Sequence, residues 1–221
     1  FCYDFGNAKM GIQLAHAGRK ASTELPWLGG KPISSSEVRG WKTEAPSAIP
    51  FAPEGWETPD ELNQLGLTRI KEAFVSSAIR ADRVGFEFLE LHAAHGYLLH
   101  QFLSPLSNRR KDEYGGTLEN RMRFPFEVFD AVREVWPRDK ALGLRLSATD
   151  WVERSSWNLL ESVIFACTLA KRGCDFIDVS SGGNSPEQEI EVGPGYQTGF
   201  AAKSRSESDL PTMAVGQIVE P

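Results

Sequence analysis

The chain has 221 residues, 41% of them apolar, with 24 basic and 30 acidic side chains and a formal charge of -6. That balance argues against the basic face a nucleic-acid partner needs, no apolar run reaches the ~18–20 residues of a membrane span, and no basic–apolar–small leader opens the chain. Three scattered cysteines, Cys2, Cys167 and Cys174, suit neither a disulfide framework nor a zinc site, so Cys167 and Cys174 read as buried free thiols in a reducing, cytoplasmic setting.

The first predicted element is a short apolar strand in "GIQLAHAG" (11–18). Residues 19–57, rich in Gly, Pro, Ser and Trp, read as a long loop. A helix is expected over 58–85. Thr58 would be its N-cap, Pro59 its first residue, and Asp60 and Glu61 would face its positive end. Leu67, Ile70, Phe74 and Ala78 recur at helical spacing, and Gly85 stops it. "FEFLEL" (86–91) is a strand, with Phe86 and Phe88 on one face and Leu89 and Leu91 on the other. "RRKDEYGGT" (109–117) is a polar turn. Thr117 then caps a helix to about Trp136, with Phe124, Val128, Ala131 and Val135 as its inner stripe, and Pro137 ends it. A strand at 141–148, a helix at 157–172 stopped by Gly173, and a strand at 174–183 follow. Residues 184–210 read as loop with a short helix near Phe200, and 211–218 as a last strand.

Five strands separated by helices or long connections imply a parallel sheet covered by helices. Polar groups gather at the strands' C-terminal ends: His16, His92, Ser147 and Ser180. Both a (β/α)8 barrel and a doubly wound sheet place their chemistry there, so this feature leaves the two open.

The densest group is His92, His95 and Tyr97 in "LELHAAHGYLLHQFLSPLSN" (89–108), where the apolar strand stops. Residues three apart point to opposite faces of a strand but share a face in a turn or helix. With Gly96 at hand, the pair is expected to converge just past the strand, where two neutral imidazoles can each offer an N–H to one oxygen. Spacing alone leaves two alternatives: histidines satisfied by backbone, or a His-x-x-His metal pair, which lacks a third ligand at motif spacing. Arg145 lies in an apolar strand and needs a counter-charge or an anionic ligand. Gln13 poses the same question as a neutral amide. "SPLSNRRKDEYGGTLENRMRF" (104–124) reads as a self-paired polar loop locking onto the next helix, and "SSGGN" (180–184) as a weak phosphate cradle.

These stretches, with "APSAIPF", "LRLSATDW", "DFIDVSSGG" and "PTMAVGQI", resemble the old yellow enzyme family, the NADH:flavin oxidoreductases and NADPH dehydrogenases that reduce activated C=C bonds. His at position 95 makes the chain similar to the bacterial-type branch with a His–His pair. The resemblance implies one domain over 1–221, an incomplete (β/α)8 TIM barrel whose strands correspond to the third to seventh of eight. It implies FMN as cofactor and NAD(P)H as reductant. Gln13 would hold the flavin pyrimidine edge, and Arg145 would lie near flavin N1. His92 and His95 would clamp the carbonyl or nitro oxygen of the substrate, and Tyr97 would give the proton to the α-carbon. No metal is implied. The complete family member is expected to be a homo-oligomer acting on a small enone or nitro compound. Five strands cannot close an eight-stranded barrel, so the chain reads as a fragment. A non-catalytic truncated paralogue and a metal-dependent barrel hydrolase are the alternatives.

Overall fold

The structure, a computed structural model, describes residues 5–219. Five strands form one sheet: β1 (Gly11–Leu14), β2 (Phe88–Ala93), β3 (Ala141–Ser147), β4 (Phe176–Ser180) and β5 (Thr212–Ala214). Every neighbouring pair is parallel, and strand order follows chain order without reversal. A doubly wound sheet reverses its order at a switch point. The unreversed order is therefore that of a barrel wall, and it decides between the two architectures the strand ends left open.

Helices fill the connections: α1 (Gln64–Arg83) before β2, α2 (Leu98–Leu103) and α3 (Leu118–Val135) before β3, α4 (Leu159–Lys171) before β4, and α5 (Thr198–Ser208) before β5. Strand alternation sorts the two faces of the sheet. Leu89, Leu91, Leu142, Leu144, Leu146, Ile177 and Val179 point to the helices and are fully buried. Burial of each is worth about 1.5–3 kcal/mol relative to exposure. The other face carries Gln13, Phe88, Glu90, His92, Arg145, Phe176 and Asp178 in register across the strands. Gly11 and Gly143 lie where a Cβ would strike the rings of Phe88 and Phe176. Those rings meet edge-on, centroids 6.1 Å apart, on the concave side.

The helix before β2 starts later than Thr58. Residues 60–61 are extended and pair with Glu44–Ala45 in a small parallel ribbon. Leu62 inserts into the core, and Asn63 caps α1 by accepting the Gly66 N–H at 2.9 Å. Tertiary pairing thus overrides the Thr-Pro-Asp-Glu start signal. The stripe of α1 is as expected, with Leu67, Ile70, Phe74 and Ala78 all buried. Thr117 caps α3 through the Asn120 N–H, at 3.3 Å. Its buried arc runs through Phe124, Val128, Phe129, Val132 and Trp136, while Ala131 is half-buried and Val135 exposed. This helix packs against α1 on one side and α4 on the other, which turns and widens the covered arc. Cys174 is buried, but Cys167 is only half-buried, its thiol directed at the Glu207 carbonyl. Cys2 lies outside the described residues. No helix among them is long and apolar enough to cross a membrane.

Candidate active site

β2 carries His92 on the concave face, one residue from its end. The chain then reverses. His95 and Gly96 take consecutive positive φ values, 56° and 71°, and α2 opens behind Tyr97. This reversal folds the three rings together. His92 and His95 have centroids 5.1 Å apart at 64°, and His92 and Tyr97 5.0 Å apart at 81°. His92 sits inside the strand rather than past it, and the turn alone brings His95 and Tyr97 back over it.

His92 is buried and His95 half-buried. Burial first, then the positive charges of Arg145 and Lys20, push His92 down to about 4. Burial, then His92 and Arg145, push His95 to about 3. Both rings are therefore neutral at neutral pH, and each has one N–H to give. His95 Nε2 lies 2.7 Å from Ser180 Oγ, and its backbone N–H donates to Ser147 Oγ at 2.9 Å. The two serines noted at strand ends thus both act on His95. The hydroxyl of Tyr97, half-buried, makes no hydrogen bond among the described residues.

Deeper on the same face, Gln13 Nε2 donates to Glu90 Oε1 at 2.6 Å. A carboxylate can only accept, which leaves Gln13 Oε1 and its second N–H open toward the concave side, where Gln13 is exposed. Arg145 stands between His92 and Asp178 in the register, its Nε 3.3 Å from Asp178 Oδ2. Asp178 is the counter-charge that an arginine in this strand requires. Burial raises the pKa of both Glu90 and Asp178; Arg145 opposes the shift in each, and Gln13's bond opposes it in Glu90. Among the described residues, no group of three His, Cys, Asp or Glu can hold a metal ion.

Several participants escape a motif reading. Lys20 donates to the carbonyls of His95 (2.9 Å) and Gly183 (2.7 Å), stitching the loop after β1 to the reversal. Burial, then Arg19, lowers its ammonium to about 8. In the "SSGG" segment the Gly182 and Gly183 N–H groups, which a phosphate cradle would need, are taken by the Thr149 carbonyl and Gln188 Oε1. The segment packs on the reversal so closely that a Cβ on Gly96 would run into the Gly183 carbonyl, and one on Gly183 into the His95 backbone. The 104–124 segment is self-paired as expected. Arg110 grips Asp112 at 2.6 Å and Arg123 donates to the Glu113 carbonyl at 2.8 Å, while Arg121 leaves the segment for Glu161 of α4 at 2.6 Å.

Known proteins are similar to this chain in sequence and fold. An NADPH dehydrogenase from Geobacillus sp. (strain WCH70) is 47% identical over 211 residues, covering 96% of this chain and 56% of that protein. An NADH:flavin oxidoreductase from Gibberella zeae is 44% identical over 206 residues, covering 87% and 50%. Morphinone reductase has a solved structure that superposes with a TM-score of 0.66 at 30% identity, over 95% of this chain and 55% of that one. Histamine dehydrogenase from Rhizobium sp. 4-9 gives 0.78 at 28% identity, over 97% and 30%. The chain spans about half the length of the curated relatives it matches. With the profile of the NADH:flavin oxidoreductase / NADH oxidase family matching residues 6–221, the chain belongs to that family, the old yellow enzymes its motifs resemble.

Proposed function

We propose that this chain carries the substrate-activating wall of an FMN-dependent, NAD(P)H-oxidising reductase for the C=C bond of α,β-unsaturated carbonyl or nitro compounds. The observation that carries the reading is the meeting of two neutral imidazoles and a free phenol above Gln13 and Arg145 on one concave face. The residues fit FMN. Gln13 presents an acceptor beside a donor, which matches the N–H and C=O of a flavin's imide edge, and Arg145 supplies a cation for its electron-rich side. FMN, when bound, supplies the hydride chemistry.

The chain's residues do the rest. His92 and His95 donate to the substrate oxygen, where negative charge builds as the double bond is reduced. Donors fixed in advance are worth about 3 kcal/mol each in oxyanion holes. Their low pKa values keep them neutral, so they stabilise that oxygen without giving up a full proton. Tyr97, its hydroxyl unengaged, delivers the proton to the α-carbon. The test uses the purified intact protein. A visible flavin spectrum should bleach with NAD(P)H under anaerobic conditions and return on adding 2-cyclohexenone. A colourless protein, or a reduced one that no enone reoxidises, overturns the proposal.

A further inference from the structure

The reversal that carries His95 and Tyr97 is held by side chains at every polar backbone group of its two positive-φ residues. His95 N–H goes to Ser147 Oγ and its carbonyl to Lys20; Gly96 N–H goes to His100 Nδ1 at 2.9 Å and its carbonyl to Gln101 Nε2 at 2.7 Å. A non-glycine residue at positive φ costs about 1–3 kcal/mol and persists only where its surroundings over-determine it.

One of these four bonds depends on a proton's position. His100 Nδ1 accepts from Gly96, so its ring proton must sit on Nε2. That nitrogen faces Asp150 Oδ1 at 3.0 Å, with the ring turned off the ideal line, and both side chains are fully buried. The other carboxylate oxygen of Asp150, Oδ2, is taken by Ser104 Oγ–H at 2.6 Å and the Trp157 N–H at 2.9 Å. In the opposite tautomer an N–H of His100 would confront the N–H of Gly96.

We propose that Asp150 fixes the tautomer of His100 and, through it, the conformation of the His95–Gly96 reversal. His100 and Asp150 are thus positioning residues, and their bearing on turnover rests on the function proposed above. Among the hydrogen bonds of the described residues, the pair meets the reversal at the Gly96 N–H.

Asp150→Asn separates this from a general packing role. Two donors already point at Oδ2, so the oxygen of the substituted amide should take that place and its NH2 should face His100 Nε2. The ring then has to accept there and carry its proton on Nδ1, against Gly96. In 15N-histidine-labelled intact protein, His100 should show the Nε2–H tautomer, and in the Asp150→Asn variant the Nδ1–H tautomer with a shifted Gly96 amide. Ser104→Ala removes one bond to Asp150 without moving a proton and should keep the wild-type tautomer. Enone kcat/KM should fall about 10- to 100-fold in Asp150→Asn, by analogy with partners that orient metal-bound histidines, while FMN affinity, resting on Gln13 and Arg145, stays unchanged.

An Nδ1–H tautomer in the wild type overturns the proposal before any variant is made. So does an Asp150→Asn protein with the wild-type tautomer and an unshifted Gly96 amide. If the tautomer changes as expected but the wild type reduces no enone, the function proposed above fails and the tautomer lock stands.

Discussion

His92 and His95 are three residues apart, yet their rings meet edge-on with centroids 5.1 Å apart, because one lies in a strand and the other follows in a left-handed turn. In a continuous strand they would point to opposite faces. The left-handed turn at His95 and Gly96 therefore converts a sequence spacing into a two-donor site.

We predict that His92→Ala combined with His95→Ala abolishes enone reduction in the intact protein and leaves flavin bound. Each lost donor should cost about 10²–10³ in kcat by analogy with oxyanion-hole deletions. Gln13 and Arg145, the groups assigned to the flavin, are untouched. Steady-state kinetics with a flavin absorbance spectrum decides it; near-normal turnover, or loss of the flavin, counts against the assignment.

Tyr97→Phe should separate the two halves of the reaction. The hydroxyl is assigned to protonating the substrate, a step absent when NAD(P)H delivers its hydride. Stopped-flow traces should show flavin reduction near the wild-type rate and a reoxidation by enone slowed by about 10²-fold, within the usual range for a lost general acid. Equal slowing of both halves would instead point to a ring that only packs against His92.

Much of this arrangement is legible in the sequence, and the gaps have physical causes. Alternation in 86–91 and the stripe Leu67, Ile70, Phe74 and Ala78 gave the buried faces because local periodicity reports burial directly. Thr58 misled because Asp60–Glu61 pairs with Glu44–Ala45, a contact no local pattern encodes. Helix α2 carries no local signal: all six of its residues are buried, so it has no polar face to set a period. Ser147 and Ser180 stood out as polar residues at strand ends, but their partner, His95, depends on the turn. Lys20 and Gly183 reach the reversal from distant loops and Asp150 through His100, and no local spacing pairs any of them with it.

Gly96 and Gly116 offer a paired test of how tightly the reversal is packed. Both have positive φ, 71° and 80°, but a Cβ on Gly116 meets nothing within 4 Å while one on Gly96 runs into the Gly183 carbonyl. Gly116→Ala should cost only the left-handed penalty, about 1–2 kcal/mol. Gly96→Ala adds overpacking against backbone, about 1–3 kcal/mol more. Urea melts of the two variants measure the difference, and equal losses would show that the "SSGG" segment yields freely.

The depressed histidines also predict how stability depends on pH. An unfolded imidazole titrates near 6.5, but in the fold His92 does so at about 4 and His95 at about 3. Between those limits the unfolded chain binds protons that the folded one refuses. Stability from these two groups is therefore intact above pH 6.5, falls as the pH drops, and levels off only once the folded rings protonate. Each can contribute a slope of at most about 1.4 kcal/mol per pH unit. Glu90 and Asp178, whose pKa values are raised, act in the opposite sense and blunt the fall. Removing one ring isolates its share. In His92→Gln, the loss of unfolding free energy between pH 6.5 and 4 should be shallower than in the wild type by about 1 kcal/mol per pH unit. Urea melts across that range test it. Parallel profiles would mean that His92 protonates in the fold as readily as in water, and that the neutral donor assigned to it is the wrong species.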